Sequence, residues 1–121
     1  MTEQNETQLQ FPQLNKPAPA FNAKTTHGDR TLEDYKGKWL VLFSHPADFT
    51  PVCTTEFMGF ANAAEEFSAM NTELLGLSID SIHAHIAWVR NIEENFGVNI
   101  PFPIIADLSM EVAHAYGMVQ P

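Results

Sequence analysis

With 121 residues, 45% of them hydrophobic and 17% charged, the chain has the length and composition of one soluble globular unit, long enough to bury a sizeable core and too short for two. Six Lys plus Arg stand against fifteen Asp plus Glu, a formal net charge of −9, which argues against nucleic acid and against an anionic membrane surface, since both require a basic patch. A single cysteine closes no internal disulfide, no apolar run approaches the roughly 18 residues of a membrane span, and the polar start has no leader pattern, so the expected compartment is the cytoplasm.

Residues 1–10 read as a polar lead-in and 11–121 as the folded unit. Pro12, Pro17 and Pro19 favour extended chain over 11–20. Residues 21–25 and 30–31 flank His27-Gly28-Asp29, a turn in which glycine supplies the unusual backbone angle. A helical turn over 32–35 ends at Gly37. The run Trp39-Leu40-Val41-Leu42-Phe43 is apolar without alternation, as in a strand buried on both faces. A loop with two prolines follows over 44–51. Phe57, Phe60, Ala61, Ala64 and Phe67 then recur at helical spacing and predict a helix over 54–70.

Leu74, Leu75, Leu77 and Ile79 predict a second strand over 73–79. Asp80 or Ser81 caps a helix over 82–95, with Ile82, Ile86 and Val89 on one stripe and Gly97 placed to stop it. A third strand over 103–106 precedes a last helix, capped by Ser109 and ending at Gly117. The order strand, helix, strand, helix, strand defines an α/β protein with a parallel sheet built from right-handed crossovers. If both crossovers progress in one direction, both helices share a face. The first strand then lacks a cover on its other face and a neighbour along one edge, which is a liability. The chain is therefore expected to be incomplete, or completed by another chain.

The informative segment runs Ser44-His45-Pro46-Ala47-Asp48-Phe49-Thr50-Pro51-Val52-Cys53-Thr54-Thr55-Glu56. Its thiol lies where a buried strand has ended and a helix begins. The unpaired N–H groups and the dipole of a helix's first turn favour an anion, and a thiolate is the nucleophilic form of cysteine. Open α/β sheets also place their ligands at the carboxyl ends of strands. Thr50 can offer a hydroxyl to a thiolate and to a bound oxygen, and Pro46 and Pro51 stiffen the loop. A lone cysteine is more often a small buried hydrophobe; the spacing Pro46-x-x-x-Thr50-x-x-Cys53 changes that reading.

This spacing resembles the active-site motif of the peroxiredoxins, and the string from Ser44 to Glu56 is similar to their one-cysteine subgroup. Lys16-Pro17-Ala18-Pro19-Ala20-Phe21, the stretch 32–42, Leu77-Ser78-Ile79-Asp80-Ser81 and the stretch 102–107 extend the resemblance over about 17–121. The resemblance implies a thioredoxin-like three-layer sandwich, here incomplete, and reduction of hydrogen peroxide or organic hydroperoxides without a cofactor. Cys53 attacks the peroxide and becomes a sulfenic acid. Thr50 hydrogen-bonds the peroxide, Pro46 packs over the sulfur, His45 lies beside the thiol, and Glu56 orients the site through an arginine partner. An external thiol, glutathione or a thioredoxin-type protein, restores Cys53, and the full-length protein is a homodimer or higher homo-oligomer.

One departure stands out. The family also uses an arginine on a later strand, whereas the arginines here, Arg30 and Arg90, fall in the early hairpin and in the second crossover helix. The missing arginine and the open strand edge agree, and both point to a chain that normally continues past Pro121. An inactive interaction module that keeps the motif, or a two-cysteine peroxidase whose resolving cysteine lies beyond Pro121, are the alternatives. A cysteine–histidine hydrolase using His45 or His114 as base is a third. The five histidines make no metal site by their spacing: His83 and His85 are two apart on a helix and face different sides, and they read as solvated or capping groups. Trp39 and Trp88 read as packing residues, and Glu65, Glu66, Glu93 and Glu94 as solvated helix faces.

Overall fold

A computed structural model describes residues 11–45 and 47–119, and for Val52 the backbone alone. Residues 1–10, with the expected lead-in, lie outside that description. Among the described residues there are five strands: β1 (Asn22–Thr25), β2 (Gly28–Thr31), β3 (Trp39–Ser44), β4 (Thr72–Ser78) and β5 (Ile104–Ala106). Four α-helices accompany them: α1 (Pro51–Asn62), α2 (Ala64–Ala69), α3 (Ile82–Phe96) and α4 (Glu111–Ala115). A 3-10 turn spans Leu32–Tyr35. The sheet order is β2-β1-β5-β4-β3, with β3, β4 and β5 parallel and β1 antiparallel to both its neighbours.

The β1–β2 hairpin turns through Thr26 and His27, one residue earlier than expected, since Thr25 pairs with Gly28 and Lys24 with Asp29. Thr25 makes this short turn work: its hydroxyl donates to the Gly28 carbonyl at 2.6 Å and accepts the His27 N–H at 3.0 Å. Gly28, at φ 90°, takes the backbone angle that a side chain disfavours.

The first crossover helix starts earlier and stops sooner than its apolar spacing predicts. Pro51 stands at its first position, where a missing N–H costs nothing and the fixed φ suits a helix, so a proline read as loop is a helix start. At Ala63 the backbone leaves helical geometry (φ −94°, ψ 1°) and α2 follows as a separate short helix. Helix α3 matches its expected ends. The Ser81 hydroxyl accepts the Ala84 N–H at 3.1 Å, and Gly97 at φ 66° donates to the Glu93 carbonyl at 2.9 Å. Its buried stripe, however, is His85, Trp88 and Ile92, while Ile86 faces solvent. Helix α4 is not capped by Ser109. The Asp107 carboxylate reaches forward and accepts the N–H groups of Val112 and Ala113 at 3.2 and 2.9 Å.

Two apolar clusters lie on opposite faces of the sheet, so the molecule has three layers. On one face Cys53, Phe57, Leu74, Trp88, Ile92, Ile100, Phe102 and Ile104 join α1 and α3 to the sheet. On the other, Phe21, Tyr35, Leu75, Leu77, Ile105, Val112 and Ala113 join the 3-10 turn and α4 to it. Alternation along β4 and β5 divides Leu74 from Leu75 and Ile104 from Ile105, as strand geometry requires. Strand β3 is an edge: among the described residues it pairs with β4 alone. Its second face is covered after all, because Leu40 and Leu42 pack against the second cluster while Val41 and Phe43 pack against the first. None of its residues is fully buried, and Trp39 is 75% exposed, so it is no packing residue of this core.

Candidate active site

Strand β3 ends at Ser44, and the chain crosses the carboxyl end of the sheet before turning into α1. Thr50, in extended geometry, is the N-cap, and Cys53 is the third helical residue. The thiol is therefore in the first turn, where backbone N–H groups and the helix dipole favour a negative charge. Cys53 is 3% exposed and belongs to the apolar cluster beneath α1. Thr50 is half-buried. Its hydroxyl makes no capping bond and instead donates to the Ala47 carbonyl at 3.2 Å. Pro46 lies outside the described residues. Glu56 is on the exposed side of α1, and no basic side chain pairs with it among the described residues. Arg30 sits in β2 and Arg90 on the exposed side of α3, so neither joins the thiol.

His45 is buried, its backbone N–H tied to the Leu77 carbonyl at 2.9 Å. Its ring lies 4.8 Å from that of Phe57 and 4.9 Å from that of Trp88. Phe57 is one turn beyond Cys53, and residues four apart on a helix share a face. His45 thus packs on the face of α1 that carries the thiol. Trp88 joins the same group through its indole N–H, which donates to the Thr54 hydroxyl at 3.0 Å.

Beneath these aromatic rings lies a polar network that the sequence did not announce. Asp48 Oδ1 is 2.6 Å from His45 Nε2, and Asp48 Oδ2 is 2.7 Å from His85 Nδ1. The other nitrogen of His85, Nε2, is 2.9 Å from the Ile105 carbonyl oxygen and donates to it. All three side chains are almost wholly buried. Asp80 holds the loop from below, accepting the Asp48 N–H at 2.7 Å and the Ser78 hydroxyl at 3.0 Å. Burial pushes the Asp48 carboxyl up, but the hydrogen bonds it accepts from His45 and His85 more than offset this and bring it below the ordinary carboxylate range.

The expectation that the histidines are solvated or capping groups holds for the exposed His27, His83 and His114 and fails for His45 and His85. Asp48 and His85 are 37 positions apart. Their contact arises because the crossover brings α3 over the loop. A signal existed: a histidine three residues before Trp88 and seven before Ile92 occupies the buried stripe of a helix, where an unpaired imidazole is costly. His45, Asp48, Asp80 and His85 place ligand-type atoms within 4.8 Å of one another, a donor set that suits a zinc-sized ion. The Asp48–histidine separations are hydrogen-bond distances, however, shorter than the roughly 3.3 Å between two ligands around such an ion. The arrangement is that of groups satisfying one another.

A mixed α/β sheet with a covering layer on each face, and a thiol in the first turn of the helix that follows an edge strand, define a thiol-bearing protein of thioredoxin-like fold. The model of the AhpC/TSA family matches residues 14–121. A peroxiredoxin of Aquifex aeolicus is 61% identical over 114 residues, covering 93% of this chain and 51% of that protein. A peroxiredoxin of Methanosarcina mazei is 59% identical over 118 residues, covering 92% of this chain and 54% of its own. The chain belongs to the AhpC/TSA family, among the peroxiredoxins. Among solved structures, a yeast mitochondrial 1-Cys peroxiredoxin superposes with a TM-score of 0.83 at 48% identity, covering 90% of this chain and 52% of the other. A variant of peroxiredoxin 6 from Arenicola marina also gives 0.83, at 39% identity and 91% and 51% coverage. The chain spans about half the length of the curated relatives it matches.

Proposed function

We propose that this chain carries the peroxidatic site of a thiol peroxidase that reduces hydrogen peroxide and organic hydroperoxides. The observation that carries the reading is the position of Cys53, buried in the first turn of α1 within the family's motif. The thiolate attacks one peroxide oxygen, the O–O bond breaks, and the sulfur becomes a sulfenic acid. Thr50 hydrogen-bonds the peroxide and Pro46 shields the sulfur. Glu56 acts on the site through a basic partner that is absent among the described residues.

The reductant proposed for the sulfenic acid is an external thiol, in keeping with the single cysteine of these 121 residues. The study of the yeast mitochondrial relative concerns thiol resolving through the glutathione and thioredoxin systems, and a reductant of that kind is the one proposed here. The proposed compartment is the cytoplasm; no described helix is long and apolar enough to cross a membrane. The working form is a homodimer or higher homo-oligomer.

The deciding measurement is the rate at which reduced protein gains one oxygen on Cys53 after stoichiometric hydrogen peroxide, followed by intact mass with a dimedone trap. Labelling far faster than that of a free cysteine, and none in Cys53→Ser, is the expected result. Labelling at the free-thiol rate would overturn the reading for this chain.

A further inference from the structure

We infer that Asp48 and His85 are positioning residues: they hold His45 as the neutral tautomer with hydrogen on Nε2, leaving a bare Nδ1 as a proton acceptor of fixed orientation on the Cys53 face of α1. This deepens the peroxidase reading and rests on it for its chemistry. His85 Nε2 faces a carbonyl oxygen, which only accepts, so that nitrogen carries hydrogen. One further proton lies between His85 Nδ1 and Asp48 Oδ2, 2.7 Å apart. Whichever of the two atoms holds it, Asp48 Oδ1 remains an acceptor and faces His45 Nε2 at 2.6 Å. His45 Nε2 must therefore donate, and in the neutral imidazole Nδ1 then has no hydrogen.

A second observation points the same way. His45 Nδ1 is buried and has no hydrogen-bond partner among the described residues. Buried polar atoms are nearly always satisfied, and a bare acceptor is tolerated more often than an orphaned donor. A buried acceptor without a partner, packed against the face of α1 that holds a thiol, is what a proton-accepting group looks like before its reaction. The titratable groups gathered with His45 are Asp48 in its own loop, Asp80 in the turn before α3 and His85 on α3; Cys53 lies one turn from Phe57 on α1, and the Phe57 ring packs on His45.

The step balances without an added reactant. The Cys53 proton passes to His45 Nδ1, and the sulfur then attacks one peroxide oxygen. An S–O bond forms as the O–O bond breaks, and sulfur gives up two electrons. The departing oxygen takes the proton back from His45 and leaves as water or an alcohol. General acid–base groups contribute typically 10²–10⁴-fold, and a group that only orients such a base accounts for part of that. For the tautomer, Asp48→Ala is the informative change, because it removes the acceptor that faces His45 Nε2, whereas the amide of Asp48→Asn would donate to the bare Nδ1 of a neutral His85 and still offer its oxygen to His45 Nε2, removing the charge alone.

The test has two arms on the purified protein. Nitrogen-15 NMR of the His45 imidazole in the unaltered, reduced protein should show hydrogen on Nε2 and none on Nδ1, and Asp48→Ala should lose that preference. Dimedone-trapped oxidation rates should fall about tenfold or more in Asp48→Asn and in His85→Gln. Combining either change with His45→Gln should give no further loss beyond His45→Gln alone. Hydrogen on Nδ1 in the unaltered protein would overturn the inference. So would an undiminished effect of Asp48→Asn in the His45→Gln background, which would mark a purely structural role. If instead the unaltered Cys53 reacts no faster than a free thiol, the peroxidase reading fails, and the NMR arm still decides the tautomer.

Discussion

Thr50 and Asp48 stand in the same loop and differ in how far the fold depends on their side chains. The Thr50 hydroxyl makes no capping bond to α1, and its contact with the Ala47 carbonyl is long for an O–H donor, at 3.2 Å. It is therefore available to a ligand at small structural cost. Thr50→Val keeps the shape and removes the donor. It should slow dimedone-trapped oxidation of Cys53 by about 10²-fold, the loss expected for one positioned hydrogen bond in a reactive site, while the melting temperature moves little. Asp48 is the opposite case. Its folded pKa lies below its unfolded value of about 4, so its stabilisation is fully present above that value and is lost as pH falls through the lower, folded one. Thermal melts between pH 6 and pH 2 should show a steep acid loss in the unaltered protein and a shallower one in Asp48→Asn. Equal slopes would mean that other carboxyls carry the acid limb.

At the scale of elements, α1 owes its seat to a glycine. A Cβ on Gly76 in β4 would stand 3.0 Å from Phe57 Cζ, and the Phe57 ring is hemmed in by Phe43, Trp88 and Phe102 at centroid distances of 4.6 to 5.4 Å. The ring has nowhere to yield. Gly76→Ala should cost about 1–3 kcal/mol by overpacking and, by lifting the helix that carries Cys53, should slow its oxidation. A variant that melts normally and reacts normally would show that the ring can move. The same elements show what the sequence makes legible. Apolar runs announce β3 and β4, and Ser81 and Gly97 mark both ends of α3. The start of α1 was hidden because a proline reads as a breaker unless its position is known to be the first of a helix. The buried stripe of α3 was misplaced because His85 counts as polar until its partners, Asp48 and the Ile105 carbonyl, are seen. Cys53 and Thr50 were legible from local spacing; the network beneath them depends on a crossover that joins distant positions, and no local pattern encodes it.

At the scale of the whole molecule the decisive feature is the edge at β3, open among the described residues. Trp39 donates its N–H to the Asn71 carbonyl and His45 donates to Leu77. Backbone donors alternate in direction along a strand, so Val41 and Phe43 also point toward β4, whereas Leu40, Leu42 and Ser44 point outward. Protection against hydrogen exchange follows these pairings and the local stability that supports them. In the 121-residue chain, the amides of Leu74, Leu75 and Leu77 in the central strand β4 should exchange slowest, and Val41 and Phe43 should be protected by their bonds to β4. Leu40, Leu42 and Ser44 should exchange at rates typical of loops, even though the side chains of Leu40 and Leu42 pack inward. Amide-resolved exchange measured by NMR checks this alternation directly. Slow exchange at Leu40, Leu42 and Ser44 as well as at Val41 and Phe43 would mean that a strand covers the edge in solution. A concentration-dependent appearance of that protection would assign the covering strand to a second copy of the chain.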